Sequence, residues 1–140
     1  KEIQKRRLME LATICKLKIL SQYVFRNTKP AIFGIKIEAG RLRHGLKLIN
    51  AKNEEIGRVK NMQSENKSVE EASEGMELAI SIPGVNFERQ LNSEKYLYTE
   101  LSESQFKNFR KNKDLLSPGE IKVLQEISEI KRQKKADWGN

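Results

Sequence analysis

Only one cysteine, Cys15, and one histidine, His44, occur among the 140 residues of this sequence. One thiol cannot close an internal disulfide, and one Cys with one His cannot build a Cys/His zinc site. No metal or cofactor is therefore expected. A Ser–His–acid triad would need His44, which lies between Arg43 and Gly45 in a turn spelling and reads as a solvent-facing turn residue. No apolar run approaches the roughly 20 residues that cross a bilayer, so no membrane partner is expected. The charged stretch Lys1 to Arg7 leads into no signal-peptide core. The chain opens on Lys rather than Met, and we expect a fragment of a longer protein.

The residues that are plentiful point elsewhere. Hydrophobic residues make up 37% and charged residues 33% of the sequence, a composition that can fold. A chain of this length buries roughly two-thirds of its unfolded surface, enough for a core without staples. The net charge of +8 is unevenly spread. Residues 1–25, 26–63 and 105–140 are basic, and residues 64–104 are acidic. Such polarity suits a nucleic-acid surface, although a solvated Lys-rich face would have the same composition.

Periodicity divides the chain in three. Ile3, Leu8, Leu11, Ala12 and Cys15 sit near helical spacing. From Leu17 to Thr99, runs rich in β-branched, aromatic and aliphatic residues alternate with turn signals. These runs are Lys16–Phe25, Ala31–Ala39, Leu46–Ile49, Ile56–Met62, Met76–Ile82, a weaker Asn86–Gln90, and Tyr96–Thr99. Six or seven short strands without intervening helices predict a closed or nearly closed β-barrel, mainly β in class. Gly34 and Gly57 inside strand patterns predict bulges or close approaches. Beyond Leu101 the helical period returns. Ser102-x-x-Gln105 spells a capping box, and Ser117-Pro118-Gly119-Glu120 adds Pro at the first helical position. The second helix is expected to run to about Lys134. Its basic end, with Lys131, Arg132, Lys134 and Lys135, also complements a helix dipole.

Catalytic motifs are missing. No G-x-x-x-x-G-K-[ST] phosphate loop occurs. Asn66-Lys67-Ser68-Val69 opens like the guanine-reading Asn-Lys-x-Asp of GTPases, but Val69 replaces the carboxylate. Glu70, Glu71, Glu74 and Glu77 read as a solvated face rather than an acid/base pair. No catalytic residue is expected, and the fragment reads as a non-enzyme.

Particular stretches carry a resemblance. AIFGIKIEAGRLRHGLKLI (31–49) and SVEEASEGMELAISIPGV (68–85) resemble elements of the second domain of translational GTPases of the elongation factor Tu type. LKILSQYVFRNTKPAIFGIKI (17–37), ENKSVEEASEGMELAISIPG (65–84) and LLSPGEIKVLQEISEIKR (115–132) resemble the C-terminal domain of archaeal translation initiation factor 5B, the relative of bacterial translation initiation factor 2. The resemblance implies the end of a connector helix over 1–13, a closed barrel over 14–100 and a helical hairpin over 101–140. It also implies a cytoplasmic, monomeric, non-catalytic domain of a GTPase that promotes joining of ribosomal subunits. Such a domain would hold the aminoacylated acceptor end of initiator methionyl-tRNA and dock initiation factor 1A.

Site residues follow from the resemblance and the loops together. Gly34-Ile35 and Glu77-Leu78-Ala79 occupy the places of the relatives' aminoacyl pocket, next to Gly75 and Met76. Ile35, Met76 and Leu78 are candidates for its apolar slot, and barrel core is the alternative for each. Arg26, Lys29 and Lys67 are candidates for phosphate contacts, which position an RNA end without reading sequence. A groove between the terminal helices would be walled by Phe109, Leu116, Val123 and Ile127 and flanked by Arg110, Lys111 and Lys113, with Phe106 in the core. The alternative is that the whole apolar arc seals the hairpin onto the barrel. A protein-only adaptor barrel is the second functional reading.

Overall fold

The computed structural model describes residues 14–28, 30–65, 67–91 and 94–139. The expected connector helix over 1–13 lies outside the described residues. Nine strands form one mostly antiparallel sheet: β1 Cys15–Arg26, β2 Ala31–Arg43, β3 Lys47–Asn50, β4 Glu55–Arg58, β5 Asn61–Ser64, β6 Lys67–Ser68, β7 Glu71–Ser73, β8 Glu77–Ile82 and β9 Tyr96–Thr99. Helices α1 (Phe87–Gln90), α2 (Glu103–Lys111) and α3 (Pro118–Arg132) follow β8 and β9.

Among the described residues the sheet curls but is not closed by a ladder between two edges. Its order is β4-β3-β9-β1-β2-β8-β5-β6, with β7 added to the far end of β2. The fully closed barrel expected from the strand count is thus only partly present. The chain itself bridges the gap. β4 pairs with β3 and β5 pairs with β8, and only Val59 and Lys60 separate β4 from β5. Val59 N–H donates to the Leu46 carbonyl at 3.1 Å, and Lys60 N–H donates to the Ser81 carbonyl at 2.9 Å. The single predicted run Ile56–Met62 therefore splits, because its halves serve opposite ends of the sheet.

Three other readings differ. The weak strand at Asn86–Gln90 is helix α1, since the Asn86 side chain accepts from Arg89 N–H and caps it. β2 runs through the expected break at Gly40 to Arg43. The stretch 64–75, read as loop, contains β6 and β7, whose polar residues carry no strand signal.

Two cores lie on opposite sides of the sheet. Inward residues of the barrel include Leu17, Phe33, Ile35, Ile37, Met62 and Ile80. On the outer face, Ile14, Ala39, Ile49 and Tyr98 meet Phe106, Phe109, Leu124 and Ile127 of the helices. Both helices start with complete capping boxes, at Ser102/Gln105 and Ser117/Glu120. An extra residue in β2, Glu38, lets Ile37 serve the barrel and Ala39 the helices, because Leu17 pairs with Ile37 and Lys16 with Ala39. A Cβ on Gly119 of α3 would lie 3.4 Å from Ala39 Cβ, so two small residues set this close approach.

Polar contacts tie the hairpin down. Lys16 Nζ lies 3.0 Å from Glu126 Oε2 and 4.4 Å from the Tyr96 ring centre. Burial, with the Glu126 carboxylate beside it, pushes the Tyr98 hydroxyl up to about 12. Lys131 pairs with Glu100, and Lys135 Nζ with Glu103 Oε1 at 2.7 Å.

Gly40 holds the most demanding backbone position. Its φ is +79°, and a Cβ there would lie 1.7 Å from the Ile14 carbonyl oxygen. Gly45 has φ +81° but open space around it. Gly45→Ala should cost about 1–2 kcal/mol from backbone strain alone. Gly40→Ala should cost at least twice that, read as a fall in the urea midpoint. Equal costs would mean that the Ile14 contact does not constrain the fold.

Candidate functional site

A wide bulge in β1 shapes the outer wall of the barrel. Leu20 pairs with Gly34, but the next ladder partner, Val24, pairs with Phe33. Residues 21–23 therefore loop outward, and the Tyr23 side chain overhangs Gly34. A Cβ on Gly34 would come within 3.0 Å of Tyr23 Cβ. Tyr23 in the bulge and Phe25 beyond it stand 51% and 65% exposed, unusual for large strand aromatics.

Below this overhang lies an open trough of about 620 Å³. Its floor is one row of outward residues, with Leu20, Gly34, Ala79 and Gln63 in register across four strands. Tyr23, Phe25 and Ile32 line one side, and Gln63, Ser64 and Glu65 the other. Its charged lining residues are Glu65 and Glu77. The trough can hold an apolar group of side-chain size, with aromatic faces for stacking.

The sequence-derived candidates divide around it. Gly34 and Glu77 line the trough, and Leu78 borders it while packing in the barrel core opposite Ile35. Ile35 does not, because its fully buried side chain points into the barrel core. Gly75 occupies an exposed turn with φ +90°, and Met76 packs against the core, its sulfur 3.3 Å from Ser73 N. Arg26 is exposed beside Phe25, and its Nε donates to the Thr28 carbonyl at 3.1 Å. Lys67 is exposed and pairs with the trough residue Ser64. Lys29 lies outside the described residues. Sequence reasoning missed Leu20, Tyr23, Phe25 and Ile32. The available signal was Tyr23-Val24-Phe25, three large apolar residues that break strand alternation.

The helical hairpin presents a second, smaller depression of about 170 Å³. Phe106, Ile121 and Leu124 form its apolar part, and Arg110, Lys113 and Arg132 its basic part. The Arg110 guanidinium lies 5.5 Å from the Phe106 ring centre. Phe109, Val123 and Ile127, expected as groove wall, are instead buried against the sheet. Leu116 packs partly against the same cluster, and Lys111 is exposed outside the depression. Phe106 is buried, as expected, yet one edge of it also reaches the depression. The wall residues Ile121, Leu124, Gln125, Ser128 and Arg132 form one stripe of α3 at three- and four-residue spacing.

Comparison with known proteins fits this architecture. The family model for elongation factor Tu domain 4 matches residues 14–98. The chain belongs to the elongation factor Tu domain 4 family. It is 37% identical over 137 residues to the probable translation initiation factor IF-2 of Methanopyrus kandleri, covering 97% of this chain and 23% of that protein. It is 39% identical over 125 residues to the probable translation initiation factor IF-2 of Archaeoglobus fulgidus, covering 89% and 21%. The crystal structure of GDP-bound aIF5B from Aeropyrum pernix superposes with a TM-score of 0.86 at 33% identity, covering 97% of this chain and 23% of that one. The resemblance to the C-terminal domain of archaeal initiation factor 5B is borne out. The chain spans less than a quarter of the length of these relatives.

The division of apolar residues on the hairpin can be checked by stability. Phe109→Ala should cost about 3–5 kcal/mol, as for an aromatic removed from a closed core. Ile121→Ala, at the half-buried edge, should cost less than about 1.5 kcal/mol. Chemical denaturation reads both, and a larger loss at Ile121 would reverse the assignment.

Proposed function

We propose that this domain is a non-catalytic module of a cytoplasmic translation initiation factor GTPase, and that its trough holds the aminoacylated acceptor end of initiator methionyl-tRNA during ribosomal subunit joining. The trough itself carries the reading. An unbranched thioether side chain suits an apolar floor of Leu20, Gly34 and Ala79. Tyr23 and Phe25 offer faces on which unpaired bases stack, with a contribution of about 1–3 kcal/mol per base. Arg26 and Lys67 stand outside the trough, where phosphates would run. The relatives carry initiation-factor names, and the solved relative binds GDP. The phosphate loop absent from this sequence would belong to another part of the full-length factor.

The test is equilibrium binding of charged and uncharged initiator tRNA. The domain should prefer the charged form, and Phe25→Ala should weaken binding of both about fivefold or more while staying folded. Equal affinity of the wild-type domain for the two forms would exclude the aminoacyl reading.

The depression on the hairpin supports a second contact, with initiation factor 1A. Its apolar part, rimmed by Arg110 and Lys113, matches an acidic tail that ends in apolar anchors. Isothermal titration with the factor should lose its heat in Ile121→Glu. Wild-type affinity in that variant would move the contact elsewhere, and binding of the factor without any tRNA binding would favour the protein-only adaptor.

A further inference from the structure

We infer that Asn27 is a positioning residue: it clasps the outer arm of β1, residues 21–26, to α1 and so fixes Tyr23 and Phe25 at the side of the trough. This rests on the proposed function of the trough and adds the contact that keeps its aromatic side in place.

The sheet alone holds the arm poorly. Every residue from Ser21 to Arg26 is exposed, so apolar burial contributes little to its position. The ladder to β2 is broken twice. Residues 21–23 have no partner between Leu20 and Val24. Phe25 is then an extra residue between Val24, which pairs with Phe33, and Arg26, which pairs with Ile32. Each exposed aromatic thus sits at an irregularity that ladder bonds do not fix. On the other side of β1, among the described residues, β9 accompanies the strand only as far as Ile19, whose N–H donates to the Lys95 carbonyl at 2.9 Å.

Asn27 closes the arm. Its carbonyl accepts from Phe87 N–H at 2.9 Å, and its side-chain Oδ1 accepts from Glu88 N–H at 2.8 Å. Both donors belong to the first turn of α1 and have no acceptor within that helix. α1 has its own anchors. Asn86 Oδ1 accepts from Arg89 N–H at 3.2 Å, and Gln90 Oε1 accepts from Asn86 N–H at 2.8 Å. Phe87 is buried with its ring centre 5.1 Å from that of Phe33, and Leu91 is fully buried. α1 is therefore the fixed body and the arm the dependent one. Asn27 does not line the trough and follows Phe25 by two residues, so it acts through the arm. Releasing it lowers the fraction of molecules with the aromatics in place, and the apparent affinity falls by that fraction.

The experiment compares two variants at the same helix end. Asn27→Ala removes the side-chain half of the clasp. Asn86→Ala removes the cap of α1 and leaves the arm attached. Backbone NMR order parameters and the affinities for charged and uncharged initiator tRNA are measured for both and for the wild-type domain. Asn27→Ala should lower the order parameters of Tyr23, Val24 and Phe25 and weaken binding of charged tRNA about threefold, the effect of one modest hydrogen bond. Asn86→Ala should change neither, although the lost cap should lower its thermal midpoint. Asn27→Asp keeps an acceptor for Glu88 N–H and should restore the wild-type order parameters. Unchanged order and affinity in Asn27→Ala, or an equal loss of affinity in the two alanine variants, overturns this inference while leaving the trough reading intact. Equal affinity of the wild-type domain for charged and uncharged tRNA overturns the trough reading, whatever the order parameters, and the role of Asn27 with it.

Discussion

Part of the sheet is buried on both faces, and the rest of the structure depends on that. Leu48 and Ile49 are neighbours in β3 and both are fully buried, one toward the barrel and the other toward the helices. Leu97 and Tyr98 of β9 divide in the same way. A strand shared between two cores has no solvated face to absorb an error of register. Each change of side must be made by an inserted residue or a close backbone contact. Glu38 supplies the insertion in β2, and Gly40 lets the chain pass against the Ile14 carbonyl. The helical hairpin is consequently part of the fold rather than an appendage. Phe109, Val123 and Ile127 are consumed in covering the sheet, which leaves only the edge stripe of α3 for a partner.

Away from the helices the same wall is bare, and there the bulge of β1 creates the trough. Three residues without ladder partners lift Tyr23 over Gly34 and leave Phe25 in solvent. Stability does not require this exposure; burying an aromatic of that size would contribute about 1.5–3 kcal/mol. Glu65 and Glu77 line the trough, and Glu77 stands opposite Lys36 in the ladder between β2 and β8.

Much of this was legible in the sequence, for physical reasons that vary by element. The two capping boxes were explicit because a Ser and an acceptor three residues on have few other uses. Most strands followed from alternation, and the terminal helices followed from the return of the helical period after Leu101. β6 and β7 were invisible because their stability comes from neighbours in the ladder, not from apolar side chains. At the site, Gly34 and Glu77 were reached through the resemblance, whereas Ile35 lies one step of the pleat away, in the core with its ladder partner Leu78. A shift of one residue exchanges core and surface, so proximity in sequence is a poor guide on a strand. Tyr23 and Phe25 could have been suspected from their broken alternation, but the bulge that exposes them is a property of pairing between two distant segments.

The central claim is that the outer wall under the β1 bulge receives an aminoacylated RNA end. Amide chemical-shift mapping with a short RNA matching the acceptor end, charged with methionine, tests it most directly. The account predicts shifts over Leu20 to Phe25, at Gly34, and over Glu77 to Ala79, with those nearest Gly34 and Ala79 lost when the RNA is uncharged. Shifts confined to α2 and α3, or identical for charged and uncharged RNA, would contradict it.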